Sequence, residues 1–348
     1  MIGTRRLVLR LWLWLLITTL ATVIGAVVAI DLGRRDAEAL RAGEAPAREG
    51  LAAARQSLVQ ADSEAITRFH RQDQDRGAEG TDTAGPGVTF RAAVADAGRQ
   101  LAQVSQADVG GAAAESVQVV NGLLLTYGGL IEQAFRPAVS EDLNLAYLKY
   151  AHNFLDEEIL PQLDAVRGDM EEARPDPPAG GRQVLWLVPL VVLAGLLVWT
   201  QVMLARRFRR TLSAPLLGAF LLLTGLAGTA VVAQGTDGDV AAGRVTLTAL
   251  VGDYRAKETR TRGNGCDARN RIAERWGEDT TACPPFGEDP VTGRDLLLKA
   301  NEVSMSAQGA ATAATRSLVA VIVLGAAAGL LICAGLWPRF EEYRFRRR

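Results

Sequence analysis

Four stretches of this chain carry no Asp, Glu, Lys, Arg or His: 11–30, 183–205, 211–236 and 317–338. Each supplies the roughly 20 apolar residues that a helix needs to cross a bilayer, where every backbone polar group must be satisfied within the segment. The sequence therefore predicts four transmembrane helices. The first could be a cleaved signal peptide behind the basic "MIGTRR", but its apolar run exceeds a signal core of about 7–15 residues and no A-x-A site closes it. An uncleaved anchor is the expectation.

Orientation follows from the arginines. Arg5, Arg6 and Arg10 precede the first span, Arg206, Arg207, Arg209 and Arg210 fill the link between the second and third, and Arg339 to Arg348 follow the fourth. Short basic segments stay cytoplasmic, so both termini are expected inside a bacterial plasma membrane in a multi-pass arrangement. The expected order is a tail (1–10), span one (11–30), an extracytoplasmic segment (31–182), span two (183–205), a basic link (206–210), span three (211–236), a smaller outer segment (237–316), span four (317–338) and a basic tail (339–348). The cytoplasmic parts are too short to hold a kinase, a cyclase or another output domain. The arginine clusters abut spans, so they read as topology signals and contacts with anionic membrane lipids, not as a nucleic-acid surface.

The fold class expected is all-α. In the larger outer segment, four sets of apolar residues step by three and four, the spacing of a bundle seam. They are Leu51 to Phe69, Phe90 to Val104, Ala113 to Ile131 (through Tyr127) and Leu145 to Ile159. Glycine-rich or proline-marked breaks at 75–89, 107–111 and 136–142 separate them, which gives an extracytoplasmic four-helix bundle. In the smaller segment, Val240, Leu247, Leu250 and Tyr254 mark an outgoing helix, and Leu296, Ala300, Val303, Ala307 and Ala310 a returning one. Cys266 and Cys283 lie between them, on the side where a disulfide persists, and closing that loop is worth about 3 kcal/mol. A second, smaller, disulfide-bridged helical hairpin is expected. Cys333, in the last span, reads as a small apolar packer.

Chemistry is scarce. There is no H-E-x-x-H, no G-x-S-x-G and no Walker loop, and the cysteines lack metal-ligand spacing, so no enzyme, cofactor or metal is expected. One of the two histidines, His152, lies on an apolar stripe between Leu148 and Leu155. A half-buried histidine hydrogen-bonded in the bundle is its plainest role, and a pH sensor or ligand-binding residue the alternative. Asp156, Glu157 and Glu158 point in three directions and read as a solvated face. Gly325 and Gly329 form a G-x-x-x-G expected to pack spans together.

The stretches "LLLTYGGLIEQAF" (123–135), "LAYLKYAHNFLDEEILPQL" (145–163) and "RRFRRTLSAPLLGAFLL" (206–222) resemble a family of actinobacterial four-span membrane sensor-relay proteins. That family is encoded beside a glutamine-binding-type lipoprotein and the serine/threonine protein kinase G. Its pattern falls on Tyr127, Gly129, Leu130, Glu132, Ala146, Tyr147, Leu148, Leu160 and Pro161. This chain departs from it with "AFRPAVSED" after the glutamate, and the resemblance does not extend to the smaller outer segment.

The resemblance implies a non-enzymatic relay. A solute-binding lipoprotein loaded with an amino acid would dock outside, and a cytoplasmic serine/threonine kinase would respond inside. Tyr127, Glu132, Tyr147 and His152 are then expected to form the docking surface or hold it in register. A scaffolding role in the cell envelope is the competing function, and homo-oligomerisation stays open.

Overall fold

The computed structural model describes residues 2–75, 85–107, 111–136, 140–172, part of 188–202, 214–276, 283 and 292–345. Among these, secondary structure is all-helical, with no strand. The helices are α1 (Ile2–Ala39), α2 (Ala45–Asp75), α3 (Gly87–Gln106), α4 (Gly111–Ala134), α5 (Glu141–Phe154), α6 (Leu160–Glu172), α7 (Ala214–Asn264), α8 (Cys266–Trp276) and α9 (Gly293–Phe345).

Two five-residue π turns, Leu40–Glu44 and Leu155–Ile159, join α1 to α2 and α5 to α6 without breaking the helical path. Each ends two residues before a proline, Pro46 and Pro161. A proline has no N–H to give the carbonyl four residues back, and its ring collides with that carbonyl in a regular turn. Widening the turn just ahead of it relieves both problems, so the helix bulges where it would otherwise kink.

The chain divides into two compact units, one of Met1–Glu38, Asp176–Ala242 and Ser306–Arg348, the other of Ala39–Pro175 and Gly243–Met305. In the second unit, α2, α3, α4 and the α5–α6 pair form a bundle whose core follows the expected stripes. Leu51, Leu58, Phe69, Leu101, Val120, Ile131, Leu148 and Ile159 are all buried. Gly85 and Gly87 stand at positive φ in the turn that enters α3, where Arg68 donates from Nε to the Gly85 carbonyl at 2.8 Å. A side chain at Gly87 would meet the Arg68 guanidinium as well as a strained backbone.

Cys266 and Cys283 are joined, as expected. Gly243–Met305 belongs to the same compact unit as the bundle. Helix α8 packs on α2 and sends Ile272 into the bundle core.

In the first unit, apolar side chains face outward along two helices. Trp14, Leu20 and Ile24 of α1 and Ile322, Val323 and Leu330 of α9 are exposed, while the small or polar Thr22, Ala29, Gly325 and Ala328 are buried. Large apolar residues outside and small ones inside is the pattern of helices packed in lipid. Among the described residues two helical stretches, Leu16–Gln72 and Gly293–Leu331, are long and apolar enough to cross a membrane, not the four expected. The expected span 183–205 lies largely outside the described residues, as do Arg206, Arg207, Arg209 and Arg210. In 211–236 the backbone is helical from Ala214, but most side chains lie outside what is described.

The G-x-x-x-G pair divides. A Cβ on Gly325 would collide with Val23 Cγ2 on α1, so that glycine allows a close helix contact. A Cβ on Gly329 would meet nothing within 4 Å.

Candidate functional site

The core of the second unit holds a carboxylate. Asp62 sits one helical turn from Leu58 on one side and Ile66 on the other, and its side chain is only 4% exposed. A buried carboxylate is costly unless it is hydrogen-bonded and paired, and three other helices supply the partners. From α5, the His152 imidazole places Nδ1 2.9 Å from Asp62 Oδ2. From α4, the Tyr127 hydroxyl donates to Asp62 Oδ1 at 3.4 Å. From the bridged α8, an Arg269 Nη lies 3.9 Å from Oδ2.

The electrostatics follow from this geometry. Burial, with the Asp62 charge and hydrogen bond adding to it, pushes the Tyr127 phenol well above its ordinary value, so it stays a neutral donor. Burial works to lower the His152 value, but the hydrogen bond and charge of Asp62, helped by Asp156, raise it by more, against opposition from Arg269. The net shift is upward and favours the imidazolium. Its second nitrogen, Nε2, lies 3.8 Å from Asp156 in the π turn. The imidazole is thus held between a buried carboxylate and a half-exposed one.

From Asp156 the ion pairs continue outward. Arg262 of α7 reaches Asp156 and Glu258, each at 3.3 Å; Glu258 pairs with Arg55 at 2.9 Å, and Arg55 with Asp164 at 2.7 Å. These contacts tie α2, α6 and α7 to the polar centre. The arrangement favours a protonated imidazole and fixes helices against one another. Among the described residues no cluster of three or more His, Cys, Asp or Glu is placed to hold a metal ion.

The residues expected to dock a partner fall in three environments. Tyr127 and His152 meet at Asp62, Tyr127 being fully buried, which makes it a core residue and no part of an outer surface. Tyr147 is half-buried against the core, and Glu132 is exposed on α4 away from the polar centre. Sequence reasoning missed Asp62 and Arg269. The signal for Asp62 was available: a lone charge four residues from Leu58 and four from Ile66 must share their buried face. For Arg269 there was none, because nothing in the sequence says that the bridged segment lies against α2.

Residues 36–174 match a family described as the actinobacterial sensor domain. No curated protein and no solved structure matches the chain. The matched stretch takes in α2 to α6, and with them Asp62, Tyr127, His152 and Asp156, but not Arg262 or Arg269. The similarity is thus to a sensing domain, and it covers the bundle and most of its polar centre.

Proposed function

We propose that this protein is a non-enzymatic signal relay of the bacterial plasma membrane, with four spans and both termini cytoplasmic. Its bundle reads an extracytoplasmic state, that of an amino-acid-binding lipoprotein or a ligand, and a cytoplasmic serine/threonine kinase responds. The observation that carries the reading is the coincidence of the sensor-family match, 36–174, with a bundle whose first helix is reached by unbroken helix from an apolar segment. A bundle held by a polar centre as well as by apolar packing has discrete arrangements available, and a partner that prefers one shifts the population by its differential affinity.

The test is in cells. Deleting the gene should abolish the change in cytoplasmic protein phosphorylation that follows addition of an external amino acid, and re-expression should restore it. Glu132→Ala should weaken that response while keeping membrane abundance, since replacing an exposed glutamate changes stability by about 0.5 kcal/mol or less. A phosphorylation response unchanged by the deletion would overturn the relay and leave an envelope scaffold in its place.

A further inference from the structure

The outward run of ion pairs ends at a cleft within the second unit, walled by α2, α6 and α7 and partly open to solvent, with a cavity volume of about 70 Å³. A single water needs roughly 10–15 Å³ of such volume, so the cleft has room for a ligand of several heavy atoms. One part of its wall is apolar: Leu51, Ala52, Leu163, Leu247 and Val251. Around it stand four guanidinium groups, of Arg48, Arg55, Arg167 and Arg255, against the carboxylates of Asp164, Glu171 and Glu258.

How the carboxylates are already used decides the preferred ligand charge. Asp164 and Glu258 both go to Arg55, and Glu171 pairs with Arg167 at 3.0 Å. Arg48 pairs at 3.2 Å with Glu44, which also carries Arg244 at 3.6 Å. Arg255 is exposed and makes no ion pair with a carboxylate among the described residues. The surplus in the cleft is therefore cationic, and it is made of guanidinium, whose planar fork matches a carboxylate. Burial, with Glu49 and Asp96 nearby, pushes the Tyr254 phenol in the cleft wall up to about 12, so it remains a hydrogen-bond donor.

We infer that this cleft binds a small organic carboxylate with an apolar body, the anionic end on Arg48 and Arg255 and the body against Leu51, Leu163, Leu247 and Val251. Such a ligand would occupy the space between α7 and the bundle helices α2 and α6, next to the Arg55–Glu258 pair that links to the polar centre. The inference goes beyond the relay and stands without it, because binding belongs to the purified protein and phosphorylation to the cell.

The test is calorimetric titration of the full chain in nanodiscs of zwitterionic lipid, with empty nanodiscs subtracted. The probes are hexanoate, acetate (the charge without the body) and hexanol (the body without the charge). Hexanoate should bind at least roughly tenfold more tightly than either of the others, a difference of about 1.4 kcal/mol. Arg48→Gln and Arg255→Gln should each weaken hexanoate severalfold, whereas Arg294→Gln, outside the cleft, should not. Thermal melts without probe separate lost binding from lost folding, and exposed Arg255 is the variant least able to disturb the fold. No hexanoate binding, equal binding of hexanol or acetate, or unchanged affinity in a folded Arg255→Gln protein would each overturn the proposal.

Discussion

A carboxylate one turn from leucine on one side and isoleucine on the other would ordinarily be expelled from a helical bundle. Asp62 stays because His152, Tyr127 and Arg269 arrive from three other helices. Each of these groups is costly to bury without the others, so the centre acts as a unit. Its pH dependence has a definite sign. The folded value of His152 lies above its ordinary 6.5, so protonated His152 stabilises the fold. That contribution is fully present below the unfolded value and is lost as pH rises through the folded one. Unfolding midpoints measured between about pH 5.5 and 8.5 should fall on the alkaline side through this group. His152→Gln should flatten that part of the profile. Asp62→Ala should flatten it too and cost about 3 kcal/mol, because it leaves buried partners uncompensated. A slope unchanged in both variants would mean that other groups set it.

At the scale of elements, the all-helical class and the bundle stripes were legible because period and composition are local. Tyr127, Leu124 and Ile131 are buried where the three–four spacing put them. The π turns were not legible as such, although each proline that goes with one was in view. The seating of α8 on α2 was not legible either, because Ile272 and Arg269 reveal their faces only once α2 lies beside them. Spacing also could not rank the two glycines of the last span. The structure does: Gly325→Ala forces a carbon onto Val23, and overpacking of this kind costs about 1–3 kcal/mol. Gly329→Ala should stay within about 0.5 kcal/mol. Thermal melts in detergent should rank the two in that order, and Val23→Ala should rescue Gly325→Ala. Equal effects would remove the contact between α1 and α9 from the account.

At the scale of the whole molecule, the arginine clusters make topology the property to measure. Reporter fusions after Arg210 and Arg348 should work only as cytoplasmic reporters, and fusions near Gly85 and Gly263 only as exported ones. A reversed pattern at either outer site would end the four-span arrangement. The order of synthesis adds a constraint of its own. Arg55 and Glu258 are 203 residues apart, and Asp62 depends on an arginine still further along the chain. When α2 to α6 have left the ribosome, the bundle still lacks Ile272 over its core and Arg269 beside its buried carboxylate. It waits with an open seam until two more apolar segments and the bridged helix have followed, and contacts so distant in sequence close slowly. The helices made nearly first are therefore the last to be completed, and during that interval the nascent bundle is the part of the chain most open to proteolysis and mispairing.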